Sequence, residues 1–270
     1  MLVQSLSPSR AADFMRCPLL YRYRAIDRLP EAASAAAMRG TVVHSVLEAL
    51  FQLDREQRTL EAAQTLVPNA YQKLRERDNR VDQLFTGSLT EEDFLSGARN
   101  LVQAYFQLED PTRLLPESTE LLVEASLEDG LKLKGYIDRL DVAPGSGALR
   151  VVDYKTGKSP APRYQAEMLF QLRFYALVLW LTRGQIPAMV LLLYLGNQNR
   201  VEAVPSAGDL ERTRLKIETI WQQINRMLEA QDFPPAKGPL CGWCSFQPQC
   251  PLFGGAIPPF PDAPAATTPQ

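Results

Sequence analysis

The 270-residue chain has no unbroken apolar run of about twenty residues, so no segment of it resembles a transmembrane helix. Its first sixteen residues lack the apolar core of a secretory signal peptide, and we therefore expect a cytoplasmic protein. Structural disulfides rarely persist in that reducing compartment, which makes paired thiols the weaker interpretation of the four cysteines. We find no internal repeat in the sequence.

The chain also lacks an excess of positive charge, because 29 basic residues face 31 acidic ones and the formal net charge is -2. Any binding to nucleic acid must therefore come from a local patch of charge. Only seven of the basic residues are lysines. The arginine excess suits bidentate phosphate contacts, although genomic base composition explains it at least as well. The composition, 46% hydrophobic and 22% charged, is typical of a globular protein of one or two domains.

The first half of the chain has mainly helical patterns. Ser7 and Pro8 predict the start of a short helix that ends near Cys17, since serine caps helix starts and proline fits the first helical position. A second helix is predicted over residues 41–53. Apolar residues at helical spacing then continue, with a capping-box pattern, and predict a helical insertion over about 54–115.

The second half begins with β-rich runs between residues 120 and 155, the last two separated by turn-forming residues, which predict adjacent strands. The patterns that follow predict a long helix, a buried strand and a final helix, at about 164–182, 188–195 and 210–227. We expect one domain over residues 1–253 and, because the end is rich in Pro and Ala, a disordered tail over 254–270.

Polar side chains that could take part in metal binding or catalysis lie in two of the predicted strands. Asp153 and Lys155 are two residues apart, so both project from one face of a strand, as they also would on a solvated face. An apolar run, 149–152, leads into Asp153, and Asp138 has a similar apolar setting in the preceding strand. A buried carboxylate is costly unless it is compensated. Two that meet favour a divalent cation, beside which a lysine can orient water or stabilise phosphoryl charge.

Four motifs in order make the chain resemble the PD-(D/E)xK nuclease superfamily and, within it, the RecB-type exonuclease branch. They are G-x-x-x-H, an Asp on one strand, D-x-K on the next strand and Q-x-x-x-Y on the following helix. The matching residues are Gly40 and His44, Asp138, Asp153 and Lys155, and Gln171 and Tyr175. The resemblance covers roughly residues 5–252, although the helical insertion carries no matching motif. Ile137 replaces the Pro of the superfamily's name, which supplies no metal ligand, so this departure puts little in doubt.

The resemblance implies an α/β fold with a mixed central sheet flanked by helices. It implies a metal-dependent DNA exonuclease that hydrolyses phosphodiester bonds in DNA repair or recombination. Its expected substrate is DNA that is single-stranded or has free ends, and a helicase is the expected kind of partner.

The same resemblance assigns roles to individual residues. The implied ligands of Mg²⁺ or Mn²⁺ are His44, Asp138, Asp153 and the Tyr154 carbonyl. The implied catalytic residues are Asp138, Asp153, Lys155, Gln171 and Tyr175. From the pattern alone, a lone histidine is ordinarily a core or surface residue, and Gln171 and Tyr175 could equally serve helix packing.

Other residues are weaker candidates for the same site. Glu124 lies on the strand before Asp138 and could add a carboxylate. Basic and aromatic residues could guide a DNA strand by charge and stacking, and the candidates are Tyr21, Arg22, Tyr23 and Arg173.

The cysteines are divided between the two ends of the chain, with Cys17 far from Cys241, Cys244 and Cys250. Some members of the branch bind a [4Fe-4S] cluster through one Cys before the nuclease core and three after it. The resemblance therefore implies an iron-sulfur staple that joins the termini. Pro follows Cys17 and Cys250, as it follows a ligand cysteine in ferredoxin-type runs. A structural Zn²⁺ also accepts four thiolates, and four unrelated cysteines are the third alternative.

Two rival functions come from other classes. A non-catalytic iron-sulfur subunit of a helicase-nuclease complex, used for DNA binding or assembly, would be expected to have a broken metal triad. Here Asp138, Asp153 and Lys155 are all present. A zinc-dependent adaptor would leave these three residues without a purpose.

Overall fold

The computed structural model describes residues 5–161 and 165–261, except for the side chains of 165–167. The chain forms two compact units. The larger unit comprises Ala33–Val123 and Tyr136–Leu210, and the smaller comprises Met1–Ala32, Glu124–Gly135 and Glu211–Gln270. The prediction of one domain over 1–253 stays a prediction.

Within the described ranges the α-helices are α1 (Pro8–Arg16), α2 (Pro18–Tyr21), α3 (Ala35–Phe51), α4 (Leu60–Arg77), α5 (Glu91–Leu108), α6 (Gln165–Arg183) and α7 (Ala207–Ala230). A π-helical turn, Arg22–Ile26, follows α2. The strands are β1 (Ser5–Leu6), β2 (Pro116–Ser126), β3 (Lys132–Val142), β4 (Leu149–Lys155), β5 (Met189–Tyr194) and β6 (Asn199–Ala203).

The strands form one mixed sheet in the order β1-β3-β4-β5-β6, with β2 also paired to β3. β3 and β4 are antiparallel, as expected of strands joined by a short turn. β4 and β5 are parallel and are connected through α6, which makes the crossover that parallel neighbours need. The predicted α/β class, a mixed central sheet flanked by helices, is confirmed.

Side-chain caps explain where several helices begin. Ser7 accepts a hydrogen bond from the Arg10 backbone N–H, and Pro8 occupies the first turn of α1 as predicted. At α5 the predicted capping box is complete, because Thr90 accepts from the Asp93 N–H and the Asp93 side chain accepts from the Thr90 N–H. These local signals fix the helix starts without help from distant residues.

The core of the larger unit lies between α3, α4 and α5 and one face of the sheet. Val152 and Tyr154 of β4 and Leu191 and Leu193 of β5 belong to the same buried cluster as the apolar faces of those helices. The predicted insertion over 54–115 is therefore not an appendage, since its two long helices complete this core.

The smaller unit has its own apolar cluster, formed by Leu19, Leu20, Tyr23 and Phe246. Disorder was predicted from residue 254, which is wrong for 254–261. There Phe260 stacks on Phe233 and the Pro258 carbonyl accepts a hydrogen bond from Arg22, so aromatic packing holds a segment whose composition suggested a free tail. Residues 262–270 lie outside the described residues.

Two further predictions differ from the structure. The helix predicted over 41–53 begins earlier, at Ala35, because Ser34 caps it and three alanines favour helix without giving an apolar period. Strand β6 was not predicted, since it is short, polar and at the sheet edge. Among the described helices, none has both the length and the apolar character needed to cross a membrane.

Candidate metal centre

The pairing of β3 with β4 brings Asp138 to the backbone of the next strand. The Tyr154 N–H donates a hydrogen bond of 2.6 Å to Asp138 Oδ2. Asp138 is almost fully buried, with 9% of its surface exposed. This hydrogen bond compensates part of the cost of burying the carboxylate and fixes the direction of its other oxygen.

That other oxygen belongs to a compact group of ligand atoms. Asp138 Oδ1 lies 3.5 Å from His44 Nδ1, and Glu120 Oε1 lies 3.8 Å from the same nitrogen. One ligand atom from each of the three residues falls within 4.8 Å of the others. His44 reaches the group from α3, Glu120 from β2 and Asp138 from β3.

The two nitrogens of His44 have different partners. Nε2 lies 3.2 Å from the Tyr154 carbonyl oxygen, to which it donates, and Nδ1 faces the two carboxylates. Burial alone would lower the pKa of His44, but hydrogen bonds to Asp138 and Glu120 outweigh it and raise the pKa to about 10. With Nε2 committed to a carbonyl, Nδ1 is the nitrogen available to a metal, which would bind it in the deprotonated form.

Asp153 lies beside this group, and its predicted role as a metal ligand stays a prediction. Its Oδ1 accepts a 2.7 Å hydrogen bond from Gln171 Nε2, and its Oδ2 pairs with Lys155 Nζ at 2.6 Å. Gln171 Oε1 also accepts from Lys155, at 2.8 Å, and Gln171 Nε2 lies 3.1 Å from the Tyr175 hydroxyl. The structure thus brings together all four of these predicted residues, two from β4 and two from α6.

The charges of this second group explain its pKa shifts. Burial, then the charge of Asp138, raise the pKa of Asp153 to about 6, against the opposing effect of Lys155. Burial would lower the pKa of Lys155, but the Asp153 carboxylate outweighs it and the pKa is raised. Lys155 is therefore a cation at neutral pH and not a base.

These residues fit a divalent cation. Apart from the ion pair with Lys155, Asp153 Oδ2 is buried and has no hydrogen-bond partner among the described residues. Two further carboxylates and an imidazole converge nearby, in oxygen-rich surroundings of the kind that Mg²⁺ and Mn²⁺ prefer.

Glu120 is the site residue that sequence reasoning missed, and Glu124 was the wrong choice. Glu124 points to Lys134, 3.0 Å away, and both side chains are exposed. The register of the β2–β3 hairpin would have distinguished them. Leu127 pairs with Leu131, and Glu124 pairs with Lys134. The same register, continued along the two strands, places Glu120 opposite Asp138. Glu120 also has left-handed backbone geometry inside a strand, with φ of 47°, which is unusual for a non-glycine residue.

Three of the four residues expected to guide DNA are buried, so that prediction is wrong for them. Tyr21 and Tyr23 are 0% and 1% exposed, and Arg22 is 4% exposed and paired with Asp27. Consecutive apolar and aromatic residues on α2 and the π-helical turn pack inward there. Arg173 on α6 is partly exposed and lies 3.9 Å from Asp209.

The cysteines of the smaller unit are all half-buried and free of disulfides. Cys17, Cys244 and Cys250 pack against the cluster around Phe246. The Ala236 N–H donates to Cys17 Sγ at 3.3 Å, and the Gly238 N–H donates to Cys241 Sγ at the same distance. The chain ends that carry the thiols are thus folded together.

A mixed sheet with clustered acidic ligands, an adjacent lysine and a helix-borne glutamine defines the class of metal-dependent phosphodiester hydrolases. The family model of the PD-(D/E)XK nuclease superfamily matches residues 5–251. The chain therefore belongs to the PD-(D/E)XK nuclease superfamily, whose members are nucleases that use divalent metals.

The chain is also similar to individual proteins. The chain is 26% identical to the gene 69 proteins of the Mycobacterium phages L5 and D29, and each match covers 92% of this chain and 96% of the relative. It resembles the crystal structure of a candidate exonuclease from Eubacterium rectale with a TM-score of 0.59 and 13% identity. That match covers 89% of this chain and 87% of the other, and at this identity it shows the fold alone.

Proposed function

We propose that the protein is a metal-dependent DNA exonuclease of the RecB-type branch, with a role in DNA repair or recombination. The observation that carries the proposal is the convergence of three carboxylates, His44 and Lys155 beside the paired strands β3 and β4. A non-catalytic subunit would have no need to keep buried carboxylates together at this cost.

In the proposed mechanism His44, Glu120, Asp138 and Asp153 would hold Mg²⁺ or Mn²⁺. The Tyr154 carbonyl, predicted as a further ligand, accepts from His44 Nε2 and so orients the imidazole, whose Nδ1 faces the carboxylates. The bound cation would lower the pKa of a water and offset negative charge on the scissile phosphate.

Lys155 acts as a fixed positive charge. Asp153 and Gln171 both contact its Nζ, and its raised pKa keeps it protonated. It can therefore donate hydrogen bonds to the attacking water or to a phosphate oxygen, whose negative charge grows in the transition state. The Gln171 amide forms hydrogen bonds with both Lys155 and Asp153 and so fixes their relative positions. The Tyr175 hydroxyl, one turn further along α6, forms a hydrogen bond with the same amide.

A groove between α3 and α4 offers a route for a DNA strand. Thr41, Ser45 and Gln52 line it from α3, while Lys73 and Arg77 line it from α4. Both cations are exposed, and neither has an ion-pair partner within the part of the chain that the structure describes. They can neutralise backbone phosphates, and the helix α3 that forms one side of the groove also carries His44.

We also propose that Cys17, Cys241, Cys244 and Cys250 bind a [4Fe-4S] cluster. Backbone N–H groups donate to two of the sulfurs, as they do at many cluster ligands. A tetrahedral zinc site with Zn–S bonds of about 2.3 Å would hold its sulfurs about 3.8 Å apart. No three sulfurs among the described residues, which include all four, lie within 4.8 Å of one another. In a cluster, each thiolate would bind a different iron.

The cluster has its own test. Anaerobically purified protein should contain about four iron and four sulfide per chain. Cys17→Ala should lose both, whereas Ser245→Ala, a neighbour of Cys244, should keep them. Zinc without sulfide would replace the cluster by a zinc site, and full metal content in Cys17→Ala would contradict a site shared by both chain ends.

The nuclease activity is tested with linear and circular DNA, single- and double-stranded, in Mg²⁺, Mn²⁺ or EDTA. We expect linear DNA to be degraded from its ends in the presence of metal, with circular DNA intact and Asp153→Asn inactive. Equal cutting of circular DNA would contradict the exonuclease assignment but keep the nuclease. Absence of cleavage on every substrate would contradict the proposed function, and a helicase-bound, non-catalytic role would replace it.

A further inference from the structure

A fully buried arginine lies directly after Asp138 in β3. Arg139 has 0% of its surface exposed, and since neighbouring strand residues point to opposite faces, it projects away from the site. A buried guanidinium is costly unless each of its donors has a partner. The identity of those partners shows what the charge does in this protein.

Acidic side chains balance the charge of Arg139. Its Nε donates to Asp141 at 2.9 Å, and its Nη2 pairs with Glu109 at 2.7 Å. Arg150 of β4 contacts the same two carboxylates, at 2.7 Å and 3.2 Å. Two arginines and two carboxylates therefore form a closed network between adjacent strands and the end of α5.

The remaining donor of Arg139 contacts two tyrosines. Nη1 donates to the Tyr154 hydroxyl at 2.6 Å and to the Tyr105 hydroxyl at 3.2 Å. The guanidinium also lies 4.8 Å from the centre of the Phe51 ring, at the end of α3. The rings of Tyr105 and Phe51 come from helices α5 and α3, whereas Tyr154 belongs to the sheet.

Tyr154 connects this network to the metal centre. Its hydroxyl contacts Arg139 on one face of the sheet, while its backbone groups form hydrogen bonds with residues of the metal centre. The N–H of Tyr154 donates to Asp138, and its carbonyl accepts from His44. A tilt of the Tyr154 side chain would therefore move two groups that orient predicted metal ligands.

We propose that Arg139 is a positioning residue for the metal centre and that the Tyr154 hydroxyl is its connection to the site. This inference rests on the proposed function, because it assigns a role in the same reaction. It also gives the helical layer a function, since Glu109 at the end of α5 pairs with Arg139.

The test compares two variants that each remove one hydroxyl from the same guanidinium. Tyr154→Phe breaks the connection to the site, and Tyr105→Phe is its matched control on α5. If the network only stabilises the fold, both variants should melt at lower temperature and neither should change metal binding. If Arg139 positions the site, Tyr154→Phe alone should weaken Mn²⁺ binding by about tenfold, the effect expected when the support of a metal ligand is lost.

Calorimetric titration with Mn²⁺ alone, without DNA, gives the primary result. Steady-state cleavage of linear DNA by the same samples should show kcat reduced by a similar factor in Tyr154→Phe and KM unchanged, with Tyr105→Phe equal to the original protein. Arg139→Lys, which keeps the charge but loses the planar fork, should resemble Tyr154→Phe.

Equal Mn²⁺ affinities in the two tyrosine variants would overturn the inference, even if cleavage is normal. Failure of the original chain to cleave DNA would contradict the proposed function instead, and the Mn²⁺ titration would still decide whether Arg139 acts on the metal centre. Both phenylalanine variants retain the ring packing and the buried charge of Arg139, so both are expected to fold.

Discussion

The carboxylate site and the cysteine segment are held in different ways. At the site, strands and long helices fix each group, as when the Tyr154 N–H binds Asp138 and Gln171 binds Asp153. The cysteine segment consists of short 3-10 turns over Pro239–Trp243, Gln247–Gln249 and Pro251–Phe253, and its side chains are mostly exposed. The first arrangement rests on hydrogen bonds between protein groups, whereas the second rests on one small apolar cluster. We therefore expect metal removal to affect them differently.

The largest effect should come from breaking the preformed site. Asp153→Asn keeps the shape of the side chain but removes a charge that balances Lys155 and a bound cation. We expect cleavage to fall by about a thousandfold or more, since several kcal/mol of transition-state stabilisation would be lost. Asp138→Asn should act similarly, and the double variant should be little worse than either, because the residues work as a unit.

The readouts for these variants are single-turnover cleavage and circular dichroism. Glu124→Gln is the control, since it changes an equivalent charge on β2 away from the site. Multiplicative losses in the double variant would show that the two aspartates do not share a metal.

The next effect concerns the cysteine segment. Cys17→Ala should expose both chain ends to protease about a hundredfold faster, because loss of a bound metal removes its contribution to folding. Mn²⁺ affinity at the carboxylate site should stay the same. Intact protease resistance in this variant would show that no bound metal stabilises the cysteine segment. Weakened Mn²⁺ binding would show that the two regions depend on each other.

A smaller effect should distinguish Glu120 from Glu124 on β2. Glu120→Gln should weaken Mn²⁺ binding by about tenfold, since it removes one charged ligand, and Glu124→Gln should leave it unchanged. Calorimetry on both proteins measures the difference. If Glu124→Gln has the larger effect, the original sequence-based choice was the better one.

The smallest effect is expected in the groove between α3 and α4. Lys73→Ala with Arg77→Ala should raise KM a few-fold and reduce the slope of log affinity against log salt by about two, because two phosphate contacts are lost. Arg75→Ala is the control on the same helix, where Asp82 and Glu91 already pair with the arginine. Identical salt dependence in the two proteins would exclude the groove as a DNA path.

Much of the fold was predictable because local signals agree with the tertiary structure. The helix start at Ser7, the capping box at Thr90 and the apolar run of β5 each depend on neighbours in the sequence. The core strands follow from runs of apolar residues in the sequence, whereas the motif residues were implied by the resemblance to the nuclease superfamily. Strand β6 escaped prediction because an edge strand needs no such pattern.

The members of the candidate site were predictable except for Glu120, but its geometry was not. Periodicity places Asp153 and Lys155 on one face, yet it does not show that Asp153 turns toward Gln171 while Glu120 joins His44. That choice depends on hairpin register and on one left-handed residue. The burial of Tyr21 and Tyr23 was equally hidden, because aromatic residues look the same in a sequence whether they pack inward or stack on a ligand.

The backbone of Glu120 has a consequence for the evolution and engineering of this protein. A left-handed glutamate costs about 1 kcal/mol of stability that a glycine there would not. Selection for thermal stability alone would therefore favour Glu120→Gly, and with it the loss of a metal ligand. The position sets stability against activity, so libraries screened only for heat resistance should accumulate inactive proteins through this residue.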